Sequence, residues 1–85
     1  MTANQVIHME YGYSQNFMTP IVVEIGWAKE NEIAYEISLG TGFKNERIYG
    51  LSLVRLEQGK TNRIMNESSM YHSMNQLRET LSELA

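Results

Sequence analysis

The sequence predicts a mainly β fold with one C-terminal α-helix. Apolar and polar residues alternate from Ile21 to Leu56, which is the period of strands that bury one face. From Glu67 to Leu84 the apolar residues recur every three or four positions instead, as in an amphipathic helix. We therefore expect one domain over residues 1–85, with a strand-rich body at 5–56 and a helix at about 67–84.

Three strands are predicted in the first half of the chain. The first covers Gln5–Tyr11, where the alternation is weak. Pro20 cannot donate a hydrogen bond to a sheet, so the second strand begins after it and covers Ile21–Trp27. The third, Ile33–Leu39, resumes the alternation after a short polar connection. The second and third strands are thus predicted to form an antiparallel hairpin.

Two further strands are predicted before a polar loop at Glu57–Arg63. Gly50 interrupts an apolar run, and an interior glycine usually marks a bulge or a bend. The run therefore divides into Phe43–Tyr49 and Leu51–Leu56. The last strand has apolar residues on both faces. Either it is central in the sheet, or its second face meets a neighbouring molecule.

The C-terminal helix is predicted to begin after Asn66, a residue that can cap its first turn. Its apolar residues follow one another at spacings of three and four positions and form one stripe, made of Met70, Met74, Leu77, Leu81 and Leu84. This stripe either packs on the sheet or forms a short coiled-coil contact between subunits.

The chain is short and has no cysteine. Its 85 residues make a domain that buries only about 60–65% of its unfolded surface. Without disulfides or thiolate metal sites to strengthen it, we expect it to self-associate. No apolar stretch approaches the roughly 20 residues of a membrane span, and Met1–Gln5 is unlike a signal peptide. We expect a soluble, cytoplasmic protein with no membrane partner.

Composition also argues against catalysis. The net charge of −3 is divided into −4 over residues 1–43, +3 over 44–63 and −2 over 64–85. Aspartate is absent, and His8 and His72 are isolated, so no catalytic motif or metal-ligand pattern is recognised. Three glutamates near the hairpin (Glu30, Glu32 and Glu36) are read as a solvated rim. We predict no enzyme activity, no catalytic residues, no metal and no cofactor.

Two tyrosines lie near basic residues. Lys44 and Arg47 precede Tyr49, and Tyr35 lies on the third predicted strand. Such a mixture can stack exposed bases while the cations meet phosphates. The alternative is that both tyrosines are half-buried on the sheet with their hydroxyls at its rim.

The segment Ile48-Tyr49-Gly50-Leu51-Ser52-Leu53 resembles the second signature of the Sm and Sm-like protein family. This resemblance implies a bent five-stranded antiparallel sheet or small open barrel, and a homo-oligomeric ring. It also implies binding to single-stranded nucleic acid, with RNA expected over DNA, and a role in RNA or DNA processing. Tyr49 stands where most members have arginine, and Glu30 to Glu32 stand where the family's loop holds a base.

On this resemblance, five residues are the candidate nucleic-acid contacts: Asn31, Tyr35, Lys44, Arg47 and Tyr49. Three residues of the last strand are the candidate oligomer interface: Leu51, Leu53 and Val54. The competing hypothesis is a structural or protein-interaction module without nucleic-acid binding, which uses its sheet edge and helix stripe. The acidic net charge favours this second hypothesis.

Overall fold

A computed structural model describes residues 1–12, 21–41 and 47–84 of the chain. In chain order the elements are helix α1 (Ala3–Tyr11), strands β1 (Ile21–Lys29), β2 (Ile33–Thr41), β3 (Arg47–Glu57) and β4 (Lys60–Tyr71), and helix α2 (Met74–Leu84). The strands form one open antiparallel sheet in the order β1-β2-β3-β4. The mainly β class is confirmed for the described residues. The prediction of five strands and a single helix is wrong, because this part of the chain has four strands and two helices.

The two helices cover opposite faces of the sheet. Successive residues of a strand point to opposite faces, so β2 and β3 bury residues on both. One face packs on α2 in the α2-side core, made of Ile33, Ile37, Leu51, Leu53, Leu77 and Leu81. The other packs on α1 in the α1-side core, made of Ala3, Val6, Ile7, Ala34 and Val54. The sheet therefore has no bare face in the described part of the chain.

The first predicted strand, Gln5–Tyr11, is wrong, because this segment belongs to helix α1. The hydroxyl of Thr2 accepts a hydrogen bond from the Gln5 backbone N–H at 3.1 Å, and the Gln5 side chain accepts one from the Thr2 N–H at 2.8 Å. This reciprocal capping box starts the helix. Gly12, at φ 69°, ends it by donating its N–H to the carbonyl of His8. Helical spacing buries Ala3, Val6 and Ile7.

The predicted break at Gly50 is also wrong. Gly50 is buried inside the continuous strand β3, opposite Ser38 of β2. The predicted strand from Phe43 begins outside the described residues, and its described end, together with Leu51–Leu56, belongs to β3. Because β3 pairs with β2 on one side and β4 on the other, it is central. The central position explains its two apolar faces without a neighbouring molecule.

The predicted loop at Glu57–Arg63 and the helix start near Glu67 are corrected as well. Gln58 and Gly59 form a two-residue turn with φ values of 52° and 75°, and β4 begins at Lys60. The strand continues to Tyr71, so the helix starts later, at Met74. Most residues of β4 are polar and do not alternate with apolar ones, which hides the strand from a sequence pattern.

The β1–β2 hairpin is confirmed, with its turn at residues 30–32 and Asn31 at φ 62°. The packing of the α2 stripe on the sheet is confirmed for Leu77 and Leu81, which are buried in the α2-side core. Across the described residues, no helix has the length and apolar character of a membrane span.

Candidate functional site

The four predicted nucleic-acid contacts that the structure describes lie at different places on the sheet. Asn31 is exposed in the β1–β2 turn, whereas Arg47 is exposed at the opposite end of the sheet, where it faces Thr41 at the end of β2. Eight residue steps along β2 separate these ends, which is about 26 Å at about 3.3 Å per step. Lys44 lies outside the described residues. Tyr35 and Tyr49 share the α2 side of the sheet, where both pack against the α2-side core.

Tyr35 belongs to a polar cluster that joins α2 to the sheet, which we call the Glu24 clamp. The Tyr35 hydroxyl donates to Glu24 Oε2 at 2.5 Å. Both terminal guanidinium nitrogens of Arg78 donate to the same carboxylate, at 2.7 and 2.8 Å. This bidentate geometry is the strongest form of a side-chain ion pair. Residues on β1, β2 and α2 thus meet at one carboxylate.

The clamp sets the charge states of its members. Hydrogen bonds from Arg78 and then Tyr35 lower the pKa of Glu24 to about 2, so this carboxylate stays charged. Burial, together with the adjacent Glu24 carboxylate, raises the pKa of Tyr35. Gly26 makes room for the ring, because a Cβ atom there would lie 2.8 Å from the Tyr35 hydroxyl. Sequence reasoning missed this cluster, since its members are far apart in the chain.

A second cluster, the Glu10 anchor, ties the end of α1 to β4. Glu10 Oε2 accepts a hydrogen bond from the Thr61 hydroxyl at 2.7 Å, and Glu10 Oε1 lies 3.8 Å from Arg63 Nε. The Arg63 guanidinium also stacks over the Tyr11 ring, 4.7 Å from its centroid. The Tyr11 hydroxyl is buried without a hydrogen-bond partner. The anchor therefore fixes α1 by a network of contacts.

A histidine and a glutamate lie near each other at helix α1. Glu36 faces α1, where burial raises the pKa of its carboxyl and the nearby charge of His8 opposes that shift. His8 also lines an open depression on α1 with Met1, Gln5 and Met9, none of which is a nucleophile. Among the described residues, no three or more metal-ligating side chains are grouped.

The predicted oligomer interface is already buried within the chain. Leu51 and Leu53 are 1% and 2% exposed beneath α2, and Val54 is 0% exposed beneath α1. These side chains reach no second copy while the helices are in place. The backbone of β3 is also fully flanked by β2 and β4. Among the strands of the described residues, β1 and β4 are the two edges at which copies could pair.

The edge strands carry exposed apolar side chains. Val22 and Val23 on β1 are 44% and 48% exposed, and Ile64 on β4 is 44% exposed. Among the described residues, the other exposed large hydrophobic side chains are Met1 and Met9 near α1, and neither is β-branched. Edge strands also present unpaired backbone N–H and C=O groups. Apolar surface and free hydrogen-bonding groups thus coincide at both edges.

No known protein family model matches this chain, and neither a curated protein nor a solved structure matches it significantly.

Proposed function

We propose that this chain is a structural module that assembles with copies of itself by pairing strand β1 of one copy with strand β4 of the next. The observation that carries this proposal is the placement of exposed β-branched residues. Val22, Val23 and Ile64 lie on the edge strands, whereas both sheet faces are covered by α1 and α2. Edge pairing buries these side chains and satisfies the backbone groups beside them.

The direction of the strands supports head-to-tail pairing. Four antiparallel strands alternate in direction, so β1 and β4 run oppositely within one copy. A second copy in the same orientation therefore places its β4 antiparallel to β1 of the first. Such a heterologous contact closes into a ring or extends as a filament, depending on the rotation between copies.

Charge favours the same arrangement. The exposed turn that follows β1 carries Glu30 and Glu32, of which Glu32 pairs with Lys29 at 3.1 Å, so Glu30 is the acidic residue that remains for a second copy. The exposed start of β4 carries Lys60. Antiparallel pairing of β1 with β4 of the next copy brings this acidic turn beside the basic start of β4. Pairing of β1 with β1 of another copy would leave the basic start of β4 without an acidic partner in both copies. Opposite charges at a rim mainly set register and partner choice.

The assembly is expected to be weak. Register shifts between Val22 and Glu24 and between Trp27 and Lys29 leave a regular stretch of β1 that runs from Glu24 to Trp27. Bulges near both ends of an edge strand limit how long a pairing partner can extend. We therefore expect dissociation constants in the micromolar range or above.

Binding of single-stranded RNA or DNA stays a prediction of the family resemblance. The separation of Asn31 from Arg47 and the engagement of the Tyr35 hydroxyl by Glu24 give it less support than self-assembly. A direct measurement of RNA binding therefore tests it separately from self-assembly.

Light scattering after size exclusion tests the assembly over a range of concentrations. The mass should rise above the 9.8 kDa of one chain as the concentration increases. Val23→Lys and Ile64→Lys should each remain monomeric, because each places a charge on one pairing edge. Met9→Lys is the matched control, since Met9 is 48% exposed and belongs to α1 rather than to an edge strand.

Mixing the two edge variants gives the sharpest outcome. The Val23→Lys chain retains an intact β4, and the Ile64→Lys chain retains an intact β1, so together they should form a dimer and nothing larger. A monomer at every concentration, or equal disruption by Met9→Lys, rejects edge pairing. Fluorescence anisotropy with labelled single-stranded RNA at low salt, where phosphate contacts are strongest, tests the other hypothesis independently.

A further inference from the structure

Helix α2 is weakly formed for an element that covers half of the core. Its last turn has no basic residue, whereas the last turn of α1 has His8, and Glu83 lies where the helix dipole disfavours a negative charge. The hydrogen bonds at its start, Gln76 N–H to the Ser73 hydroxyl and His72 N–H to the Gln76 side chain, are both long at 3.3 Å. Local interactions therefore do little to hold it.

Two kinds of contact attach α2 to the sheet. Leu77 and Leu81 are its buried residues in the described part of the chain. The Glu24 clamp adds the polar contact, but the side chains of Arg78 and Glu24 are 51% and 33% exposed. Water screens this ion pair despite its bidentate geometry, so its contribution is expected to be modest. One apolar stripe and one exposed clamp thus hold the helix.

The surface beneath α2 is suited to bind a helix. Its centre is aliphatic, and three partly buried tyrosines pack around it: Tyr35, Tyr49 and Tyr71. Glu24 stands beside this centre, and its carboxylate accepts hydrogen bonds from the Arg78 guanidinium. Apolar surface with one fixed charge at its side recognises an amphipathic helix with a basic residue next to its apolar stripe.

We infer that α2 is a displaceable cover, and that the surface beneath it binds an amphipathic helix of another protein in its place. The partner helix carries two leucines four residues apart and an arginine directly after the first, which are the features that α2 itself uses. This site lies on the face of the sheet beneath α2, whereas the proposed assembly uses the outer edges of β1 and β4.

Native-state hydrogen exchange on the full chain tests whether α2 opens by itself. The α2 amides should exchange faster than those of β2 and β3. Arg78→Gln should speed α2 exchange by about two- to fivefold, the scale of an exposed ion pair, and leave the sheet unchanged. The matched control is Glu79→Gln, an exposed neighbour on the same helix. Equal protection of α2 and the sheet, or an equal response of both to Arg78→Gln, overturns the inference.

Peptide binding tests the site beneath the cover. The probe is a labelled peptide of residues 72–84 with added capping residues that raise its helicity, titrated into the full chain. Arg78→Gln should bind it more tightly than the wild type, because its own cover competes less. Glu24→Gln opens the cover too but removes the carboxylate that receives the peptide arginine, so it should gain less. Absence of binding to Arg78→Gln at millimolar peptide overturns the proposed site, even if α2 opens.

Discussion

Helices α1 and α2 cover opposite faces of one sheet, but they are held by different means. Helix α1 has a capping box at its start, a glycine cap at its end and the Glu10 anchor to β4. Helix α2 has long capping hydrogen bonds and depends on Leu77, Leu81 and an exposed clamp. Two helices that bury core residues equally well can therefore be held on the sheet with different strength. The α1 side is expected to be the stable half, and the α2 side the adjustable one.

The largest expected effect comes from matched core deletions on the two sides. Val6 and Leu77 are both 0% exposed. Leu77→Ala should cost about 3 kcal/mol of stability and Val6→Ala about 2 kcal/mol, because the leucine substitution removes one more buried carbon. Trp27 packs on the α1-side core, so its fluorescence reports on that side.

The two deletions should also differ in how the chain unfolds in urea. Val6→Ala should keep circular dichroism and Trp27 fluorescence coincident, because loss of α1 packing unfolds the whole sheet. Leu77→Ala should shift the circular dichroism transition below that of Trp27, because α2 detaches first. Coincident curves for Leu77→Ala would mean that both helices belong to one cooperative unit.

A smaller effect is expected from Gly26→Ala. The new Cβ atom would lie 2.8 Å from the Tyr35 hydroxyl and 3.0 Å from the ring, so the ring must move away from Glu24. We expect a loss of about 1–2 kcal/mol from overpacking and a weakened clamp. Tyr35→Phe is the control, because it removes the hydrogen bond to Glu24 without the collision. If Gly26→Ala is no more destabilising than Tyr35→Phe, the close approach of the ring is not a constraint.

The hairpin of β1 and β2 was predictable because both segments alternate around a polar turn, although the pairing of β1 contains two register shifts. β3 alternates equally well, but the buried Gly50 was read as a break although a central strand tolerates it. β4 was missed because most of its residues, from Lys60 to Tyr71, are polar and do not alternate with apolar ones. α1 was missed because nine residues fit a strand and a helix almost equally, although Thr2 and Gln5 held a capping signal.

The clusters were less predictable than the fold. The hydrogen bonds of the Glu24 clamp join residues 11 and 54 positions apart in the chain. No local spacing encodes such a contact, which depends on how α2 lies across the sheet. The predicted interface residues depend on a related kind of information. Strand hydrophobicity marks Leu51, Leu53 and Val54 as buried, but it does not tell whether the covering surface comes from the same chain.

Acid should affect the two sides in opposite directions. The pKa of Glu24 is lowered to about 2, so the clamp is fully present above about 4.5, its ordinary value, and is lost as the pH falls through about 2. The pKa of Glu36 on the α1 side is raised by burial, so its neutral form is favoured and its contribution to stability is lost as the pH rises through that raised value.

Hydrogen exchange of α2 measures the acid response of the Glu24 clamp. After correction for intrinsic rates, the exchange should not change through this clamp between pH 7 and 5 and should quicken towards pH 2. Glu24→Gln should remove the acid response of α2, whereas a response that persists in this variant must come from another group.

The smallest effect is expected from Tyr11→Phe, and it has the opposite sign. The Tyr11 hydroxyl is buried without a partner, so its removal loses no hydrogen bond and relieves an unsatisfied polar atom. Its ring remains beneath the Arg63 guanidinium, which keeps the stacking of the Glu10 anchor. We expect the variant to be as stable as the wild type or up to about 0.5 kcal/mol more stable in urea unfolding. A loss above about 1 kcal/mol would mean that the hydroxyl has a partner in solution, such as a bound water, and that α1 is held by one more polar contact than its geometry indicates.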